Sequence, residues 1–429
     1  MDPVLLIGLK RRHEHDWQVE EHLNELKMLA YNVDLNGRFR LVQQRDKPDN
    51  GTFVGSGMVD KIQQYVVNES LKAVIFDDEL SPAQQRNLEK LLSVPVYDRP
   101  FIILSIFSER AKTKEARTQV ALARMKYEYP RLKKMWTHLH RQAGHLGGRG
   151  GEGEKQLEID RRMARKKMGR LEKELKVFET RRKTRKKQRR NLVNVALVGY
   201  TNAGKSSLMN QLTKADVEAD DRLFVTLDAT SRIWNVDPIL KVVLSDTVGF
   251  IRKLPHDLVA SFRSTLTEVG DADLLFHVID ASHAHLEELR ETVDGVIESL
   301  IQEHIPTVLI FNKIDTLSEL DLKSLKRHYP KGLFVSATQK TGIEKLRSYV
   351  LKYFSELIKT KTFLLPSQAL GRFYQINDFG QVLHTHHADE GMFLELRALD
   401  VRFPALIRNI PELIEVDPAE YQERANASL

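Results

Sequence analysis

The sequence predicts an α/β protein in four units. These are a small parallel α/β domain over 1–108, a basic helical hairpin over 109–190, a phosphate-loop α/β domain over 191–358 and a small α+β module over 359–429. Three observations predict it. Short apolar runs alternate with helix-period segments in the first and third units, as in a parallel sheet with crossover helices. A Gly-x-x-x-x-Gly-Lys-Ser loop lies between an apolar run, Leu192 to Val198, and a helical stretch opening at Ser207. Between the two α/β units the chain becomes densely charged, with apolar residues recurring at steps of three and four.

Composition sets the outer limits. A chain of 429 residues calls for two to four domains, and 41% hydrophobic residues are enough for real cores. A net charge of +7 and a pI of about 9.2 suggest a polyanionic partner. The absence of cysteine excludes disulfides and Cys-ligated zinc. No apolar run reaches the ~18 residues of a membrane span. No charged-then-apolar leader opens the chain, so a cytoplasmic monomer is expected.

In the first unit, Val4–Leu9, Arg38–Gln43, Ala73–Phe76 and Val94–Tyr97 read as strands. Trp17–Tyr31 reads as a helix with Leu23, Leu26 and Leu29 on its apolar face. Gly55-Ser56-Gly57 opens a second helix through Val67, and Ser81-Pro82 starts a third, with serine as N-cap and proline at the first position. Gly55-x-Gly57 before a helix is a possible phosphate contact, and Asp77-Asp78-Glu79 a possible metal cluster. A tight turn and a solvated acidic loop edge are the simpler readings.

In the second unit, Ala116, Val120, Ala123 and Tyr127 form one apolar seam, and Met168, Leu171, Leu175 and Phe178 another. Two such seams pack side by side as a hairpin, with a kink expected at Pro130. Gly144 to Gly153 contains six glycines in ten residues and reads as a non-helical tip. Arg181 to Arg190 holds eight cations in ten residues without the glutamates that would pair with them at i,i+4. Unpaired cations in a row repel one another unless phosphates neutralise them, so this arm is read as a nucleic-acid contact.

The third unit carries four motifs in order, each after an apolar run. Gly199-Tyr200-Thr201-Asn202-Ala203-Gly204-Lys205-Ser206-Ser207 offers backbone N–H groups to phosphate, with Lys205 over the β/γ-phosphates and the Ser206 hydroxyl on Mg²⁺. Asp246-Thr247-Val248-Gly249 supplies a carboxylate to Mg²⁺ through water and a Gly249 N–H to the γ-phosphate. Asn312-Lys313-Ile314-Asp315 places a carboxylate that accepts both guanine N–H groups, which adenine does not match. Ser336-Ala337-Thr338 brings a backbone N–H to the guanine oxygen. Together these read as a P-loop GTPase domain binding GTP and GDP, with Leu274–Asp280 as a further strand and Leu286–Ile301 and Gly342–Leu357 as helices.

The joint pattern resembles the HflX family of ribosome-associated GTPases. The residues that carry the resemblance are the glycine tip with Gly153-Glu154-Lys155-Gln156-Leu157-Glu158-x-Asp160-Arg161-Arg162, the loop through Leu208, Leu223-Phe224-Val225-Thr226-Leu227-Asp228 and Asp246 to Ile251. It covers residues 1 to about 358 well and the tail less well. One departure is the tip, Gly148-Arg149-Gly150-Gly151, where the family usually runs Thr-Arg-Gly-Pro. The resemblance implies binding to the large (50S) ribosomal subunit through rRNA. It also implies GTP-dependent splitting or rescue of stalled ribosomes, with the hairpin inserted toward the peptidyl-transferase centre.

Thr226 is the expected switch hydroxyl for Mg²⁺, with Thr230 its rival; Lys205, Thr226 and Gly249 are the expected catalytic set, and Ser206, Thr226 and Asp246 the metal set. Many GTPases place a water-orienting glutamine directly after the Asp-x-x-Gly motif, where this chain has Phe250, so hydrolysis alone should be slow and need an outside contribution. K⁺ near the phosphates, with Asn202 as a ligand, is one source that the resemblance to GTPases with asparagine there suggests. His256 reads as a surface or packing histidine. In the tail, Phe373–Ile376, Val382–His386 and Met392–Leu396 read as short strands, and His384 and His386 share a strand face without a carboxylate pattern for metal. Two alternatives stay open: ATP-driven RNA remodelling by the first unit, and a signalling GTPase with a protein partner.

Overall fold

The structure is a computed structural model. It describes every residue except 144–150, 189–191, 215–229, 248, 254–268, 301–303, 420 and 423–429; for 132–143, 151–157, 179, 182–188 and 300 only the backbone is described.

The N-terminal domain is built on strands β1 (Asp2–Lys10), β2 (Leu35–Gln44), β3 (Ala73–Phe76) and β4 (Val96–Asp98), all parallel in the order β2-β1-β3-β4. Its helices are α1 (Asp16–Tyr31), α2 (Ser56–Asn68), α3 (Pro82–Leu92) and α4 (Arg99–Arg110). Along β1, Val4 and Leu6 join the core under α1 and α4, while Leu5 and Ile7 join the core under α2 and α3. Both faces are covered, which is why β1 and β3 read as unbroken apolar runs. Ser81 caps α3 as expected: it accepts from the Gln84 N–H at 3.2 Å and the Gln84 side chain accepts from its own N–H at 2.9 Å.

Helix α4 is an addition to the sequence reading. Its Phe101 to Phe107 stretch has no polar face because it is buried between the sheet and the hairpin, with Ile102, Ile103, Ile106 and Phe107 in the core. Asp98 caps it, accepting from the Phe101 N–H at 3.0 Å.

The hairpin arms are α5 (Lys114–Ala143) and α6 (Gly151–Gln188), and α5 continues through Pro130. Ala116, Val120 and Ala123 are buried in the core that also holds α1 and α4, so the first arm's seam faces the N-terminal domain. Met168, Leu171, Leu175 and Phe178 are only half-buried. The glycine tip is shorter than expected: Gly151 to Gly153 already belong to α6, while 144–150 lie outside the described residues. The sequence there alternates glycine with glutamate, and acidic residue types in a first turn favour the helix dipole and offset the glycine cost.

The GTPase domain follows with β5 (Val193–Val198), α7 (Lys205–Thr213), β6 (Thr230–Asn235), β7 (Lys241–Asp246), β8 (Leu274–Asp280), α8 (Leu286–Leu300), β9 (Thr307–Asn312), α9 (Glu319–His328), β10 (Leu333–Phe334) and α10 (Ile343–Tyr353). The sheet order is β10-β9-β8-β5-β7-β6, parallel except for β6, which is antiparallel to β7. The phosphate loop leaves β5 between its neighbours β7 and β8, where the strand order runs both ways and an open α/β sheet leaves a crevice for ligand.

The tail contains β11 (Ile358–Pro366), α11 (Phe373–Ile376), β12 (Gln381–Ala388), β13 (Gly391–Leu399), α12 (Phe403–Asn409) and β14 (Ile414–Val416), with the antiparallel order β12-β13-β11-β14. Phe373–Ile376 is therefore a helical turn, not a strand. Phe373 and Ile376, three apart, both meet the tail's core. His384 and His386 stand opposite Glu395 and Phe393, and His386 meets the Tyr421 ring edge-on. Among the described residues no cluster of three metal-ligating side chains occurs, and no helix is long and apolar enough to cross a membrane.

Candidate nucleotide site

The loop from Gly199 to Gly204 joins β5 to α7, and Lys205, Ser206 and Ser207 form the helix's first turn. Gly204 has φ +88°, and a Cβ there would lie 2.2 Å from Asn312 Nδ2, so only glycine lets the loop pass the Asn312 amide. Asn202 is exposed with φ +60°, a conformation asparagine tolerates. Lys205 is buried, its ammonium donating to the carbonyls of Gly199 at 3.0 Å and Tyr200 at 2.8 Å. Burial lowers its pKa to about 8 against the pull of Asp246. A phosphate dianion over Lys205 would compensate that burial.

Asp246 ends β7, fully buried, and Ser206 Oγ donates to its Oδ2 at 2.6 Å. Thr247 is equally buried and donates to the Leu197 carbonyl at 2.7 Å, so it pins the motif to β5. Gly249 packs against the loop: a Cβ would meet Thr201 Cγ2 at 2.7 Å and Lys205 Nζ at 3.1 Å.

Asn312 at the end of β9 ties the base side to the phosphate side. Its Nδ2 donates to the Ala203 carbonyl at 3.0 Å and its Oδ1 accepts from the Ala337 N–H at 3.1 Å. Lys313 is left-handed with φ +63°, its ammonium on Asp280 Oδ2 at 2.7 Å. Ile314 and Asp315 form a short 3-10 turn with Asp315 exposed. Ser336 Oγ lies 3.0 Å from Thr338 Oγ1 and accepts from the Gln339 N–H at 3.0 Å, shaping the loop after β10.

The structure thus brings together Gly199, Tyr200, Thr201, Asn202, Ala203, Gly204, Lys205, Ser206, Ser207, Asp246, Thr247, Gly249, Asn312, Lys313, Ile314, Asp315, Ser336, Ala337 and Thr338 at one end of the sheet. Phe224, Val225, Thr226, Leu227, Asp228 and Val248 lie outside the described residues, as does His256. Thr230 opens β6. Phe250 is buried at 2% exposure in the core shared with the N-terminal domain.

The sequence reading missed a polar seam against this site. Tyr200 Oη donates to Glu25 Oε2 of α1 at 2.8 Å and accepts from the Arg252 N–H at 2.8 Å. Arg252 spans Glu21 at 2.8 Å and Glu288 at 3.3 Å. Lys253 donates to Asp77 at 2.5 Å and Asp78 at 2.9 Å. Buried Arg99 stands 3.5 Å from both Glu25 and Asp77. Burial pushes the Glu25 carboxyl up, and Arg99 counters it. Burial and the cations Lys253, Arg252 and Arg99 lower His22 to about 3. A cavity of about 210 Å³ lies in this seam, lined by Glu25, Tyr200, Thr201 and Arg252 among others. The acidic stretch after β3 is thus a receptor for a lysine. Gly55 is an N-cap whose N–H donates to Gln43 Oε1 at 2.9 Å. The sequence signal was Glu25 itself, a carboxylate on the Leu26 side of an amphipathic helix.

Comparison with known proteins finds relatives over most of the chain. Three family profiles match: GTP-binding GTPase N-terminal over 20–108, GTP-binding GTPase middle region over 110–189 and 50S ribosome-binding GTPase over 194–313. The GTPase HflX of Flavobacterium psychrophilum is 38% identical over 391 residues, covering 85% of this chain and 94% of that protein. The GTPase HflX of Escherichia coli K12 is 39% identical over 402 residues, covering 92% and 94%. A solved GTP-binding protein from Sulfolobus solfataricus in complex with GDP aligns over 83% of this chain and all of its own, at 23% identity and a TM-score of 0.43. The chain belongs to the HflX family of GTPases.

Proposed function

We propose that this GTPase binds the large ribosomal subunit through its basic hairpin and uses GTP binding and hydrolysis to control that association, splitting or rescuing stalled ribosomes. The observation that carries the reading is the union of this nucleotide pocket with a cationic helix 38 residues long. That helix spans about 57 Å at the usual rise. Arg162, Lys166, Lys167, Arg170 and Lys173 are exposed along it. Two ion pairs between the arms engage glutamates of α6, Lys114–Glu174 at 2.8 Å and Lys126–Glu172 at 3.6 Å. Those exposed cations suit the phosphates of rRNA. The description of the matched GTPase profile supports the same partner.

In this reading Lys205 neutralises the β/γ-phosphates, the loop N–H groups orient them and Asp315 reads guanine. Ser206 and Asp246 fit Mg²⁺, because a hydroxyl oxygen and a buried carboxylate in contact are the hard donors it takes. When bound, Mg²⁺ neutralises charge developing on the phosphates. Thr226 is assigned as the switch hydroxyl. Phe250 is packed in the interdomain core and does not orient water, so the outside contribution comes from the ribosome or from K⁺ beside Asn202. We place the protein in the cytoplasm as a monomer. The test is GTP turnover with and without purified large subunits. Turnover rises at least about tenfold with subunits, a modest part of what an added charge supplies. Fast turnover by the protein alone, unchanged by subunits, overturns the reading.

A further inference from the structure

Helix α5 runs through Pro130 on its way to Ala143. Proline has no N–H for the Lys126 carbonyl one turn back, and its ring crowds that turn, so the helix is weakest there. The second arm has a weak point of its own. Gly169 lies inside α6, and a Cβ built on it would meet nothing within 4 Å, so no packing calls for glycine there. Arg165, one turn away along α6, donates through Nε to Tyr129 Oη at 2.9 Å, which sets the two weak points at neighbouring levels of the hairpin.

The N-terminal domain grips the hairpin at this level. Asp98, 1% exposed at the end of β4, accepts from Tyr127 Oη at 2.7 Å and from Arg131 Nη2 at 3.0 Å, besides the N–H groups of Leu80 and Phe101. Arg131 reaches further, with Nη2 also donating to the Leu80 carbonyl at 2.9 Å and Nε to Gln85 Oε1 of α3 at 3.0 Å. Its Nη1 turns back onto the Tyr127 carbonyl at 2.8 Å, and its guanidinium lies 3.4 Å from the centroid of the Tyr127 ring. Residues on both sides of Pro130 are thus tied to one buried carboxylate. Burial pushes the Asp98 carboxyl up, and Arg131 is the foremost of the groups that counter it.

We propose that Pro130 and Gly169 form a joint in the hairpin and that Arg131, with Tyr127 and Asp98, locks it, so that the N-terminal domain aims the far part of the arm. Arg131 acts as a positioning residue: its guanidinium is turned onto Asp98 and Gln85, not out toward phosphate. The inference rests on the reading of the arm as an RNA contact and deepens it, because it assigns the arm's direction to residues that do not touch RNA. An arm aimed before contact binds a fixed cleft more tightly than one spread over several directions, since only the correctly aimed fraction is competent.

The test uses the full chain, which contains no cysteine. Spin labels are placed on Val67→Cys of α2, 70% exposed, and on Glu158→Cys of α6, exposed and beyond Arg165 toward the start of that helix. The spread of label-to-label distances is measured, alongside pelleting with purified large subunits in a non-hydrolysable GTP analogue. Arg131→Met keeps the apolar stem and removes the guanidinium. It broadens the spread and weakens subunit binding about three- to tenfold, the loss that follows when about a tenth to a third of molecules stay aimed. GDP affinity is unchanged. Tyr127→Phe, which removes only the hydroxyl, gives a smaller effect of the same sign and serves if Arg131→Met does not fold. Adding Pro130→Ala and Gly169→Ala to Arg131→Met removes the joint, so the spread narrows again and binding recovers. An unbroadened spread overturns the lock even where binding weakens, since Arg131 would then be a phosphate contact alone. A broadened spread that the two alanines leave unchanged overturns it as well. Failure of the wild-type chain to pellet with subunits in either nucleotide would instead overturn the ribosome reading.

Discussion

Replacing Asn312 by alanine gives the most quantitative view of how the pocket is held. Asn312 is 2% exposed and joins the phosphate loop to the loop after β10. Its Nδ2 satisfies the Ala203 carbonyl at 3.0 Å and its Oδ1 satisfies the Ala337 N–H at 3.1 Å. Alanine leaves both backbone groups without that partner. Each buried group left unsatisfied costs about 1–3 kcal/mol. Water entering at the pocket mouth recovers part of this, so a total of about 2–4 kcal/mol is expected. If the loss falls on nucleotide binding, GDP affinity drops about 30- to 700-fold. The assay is equilibrium titration with a fluorescent GDP, accompanied by thermal unfolding in its absence to separate pocket damage from global loss. An affinity within about threefold of wild type, with an unchanged unfolding midpoint, would refute the claim that this amide assembles the site.

Two further outcomes follow from named groups. Asp315→Asn replaces an acceptor of two guanine N–H groups with an amide that also donates; GDP binding weakens by at least about tenfold and xanthosine diphosphate gains, whereas equal loss of both would remove Asp315 from base reading. His22 is held neutral, its pKa lowered from the ordinary 6.5 to about 3. The unfolded chain therefore binds a proton that the folded chain refuses, and stability falls as pH drops below about 6.5. The penalty reaches about 2 kcal/mol at pH 5. His22→Gln removes that slope, so its unfolding midpoint gains on wild type between pH 7.5 and 5, while parallel curves would show that His22 is not the group refusing the proton.

The parts that the sequence made legible are those whose geometry is local. Gly204 and Lys205 announce the phosphate loop because a left-handed glycine and a helix N-terminus are needed within a few residues of each other. The apolar runs of β5, β8 and β9 are plain because parallel strands are covered on both faces. Phe373–Ile376 was misread because four residues carry no period that separates strand from helix. Helix α4 escaped because burial on all sides erases its polar face. The seam was least legible: Tyr200 and Glu25 meet across 175 residues of chain. Nothing local in Glu21, Asp77 or Lys253 marks them as partners, since each alone reads as a solvated charge. Only the docking of α1 against the phosphate loop turns them into a buried network.

The central claim is that the nucleotide in this pocket governs the grip of a cationic arm on ribosomal RNA. It is met most directly by sedimenting the full chain with purified large subunits, at fixed salt, in the presence of GDP or of a non-hydrolysable GTP analogue. The account predicts that the triphosphate analogue carries the protein into the subunit pellet at concentrations where GDP leaves it in the supernatant. Equal pelleting with either nucleotide would contradict it.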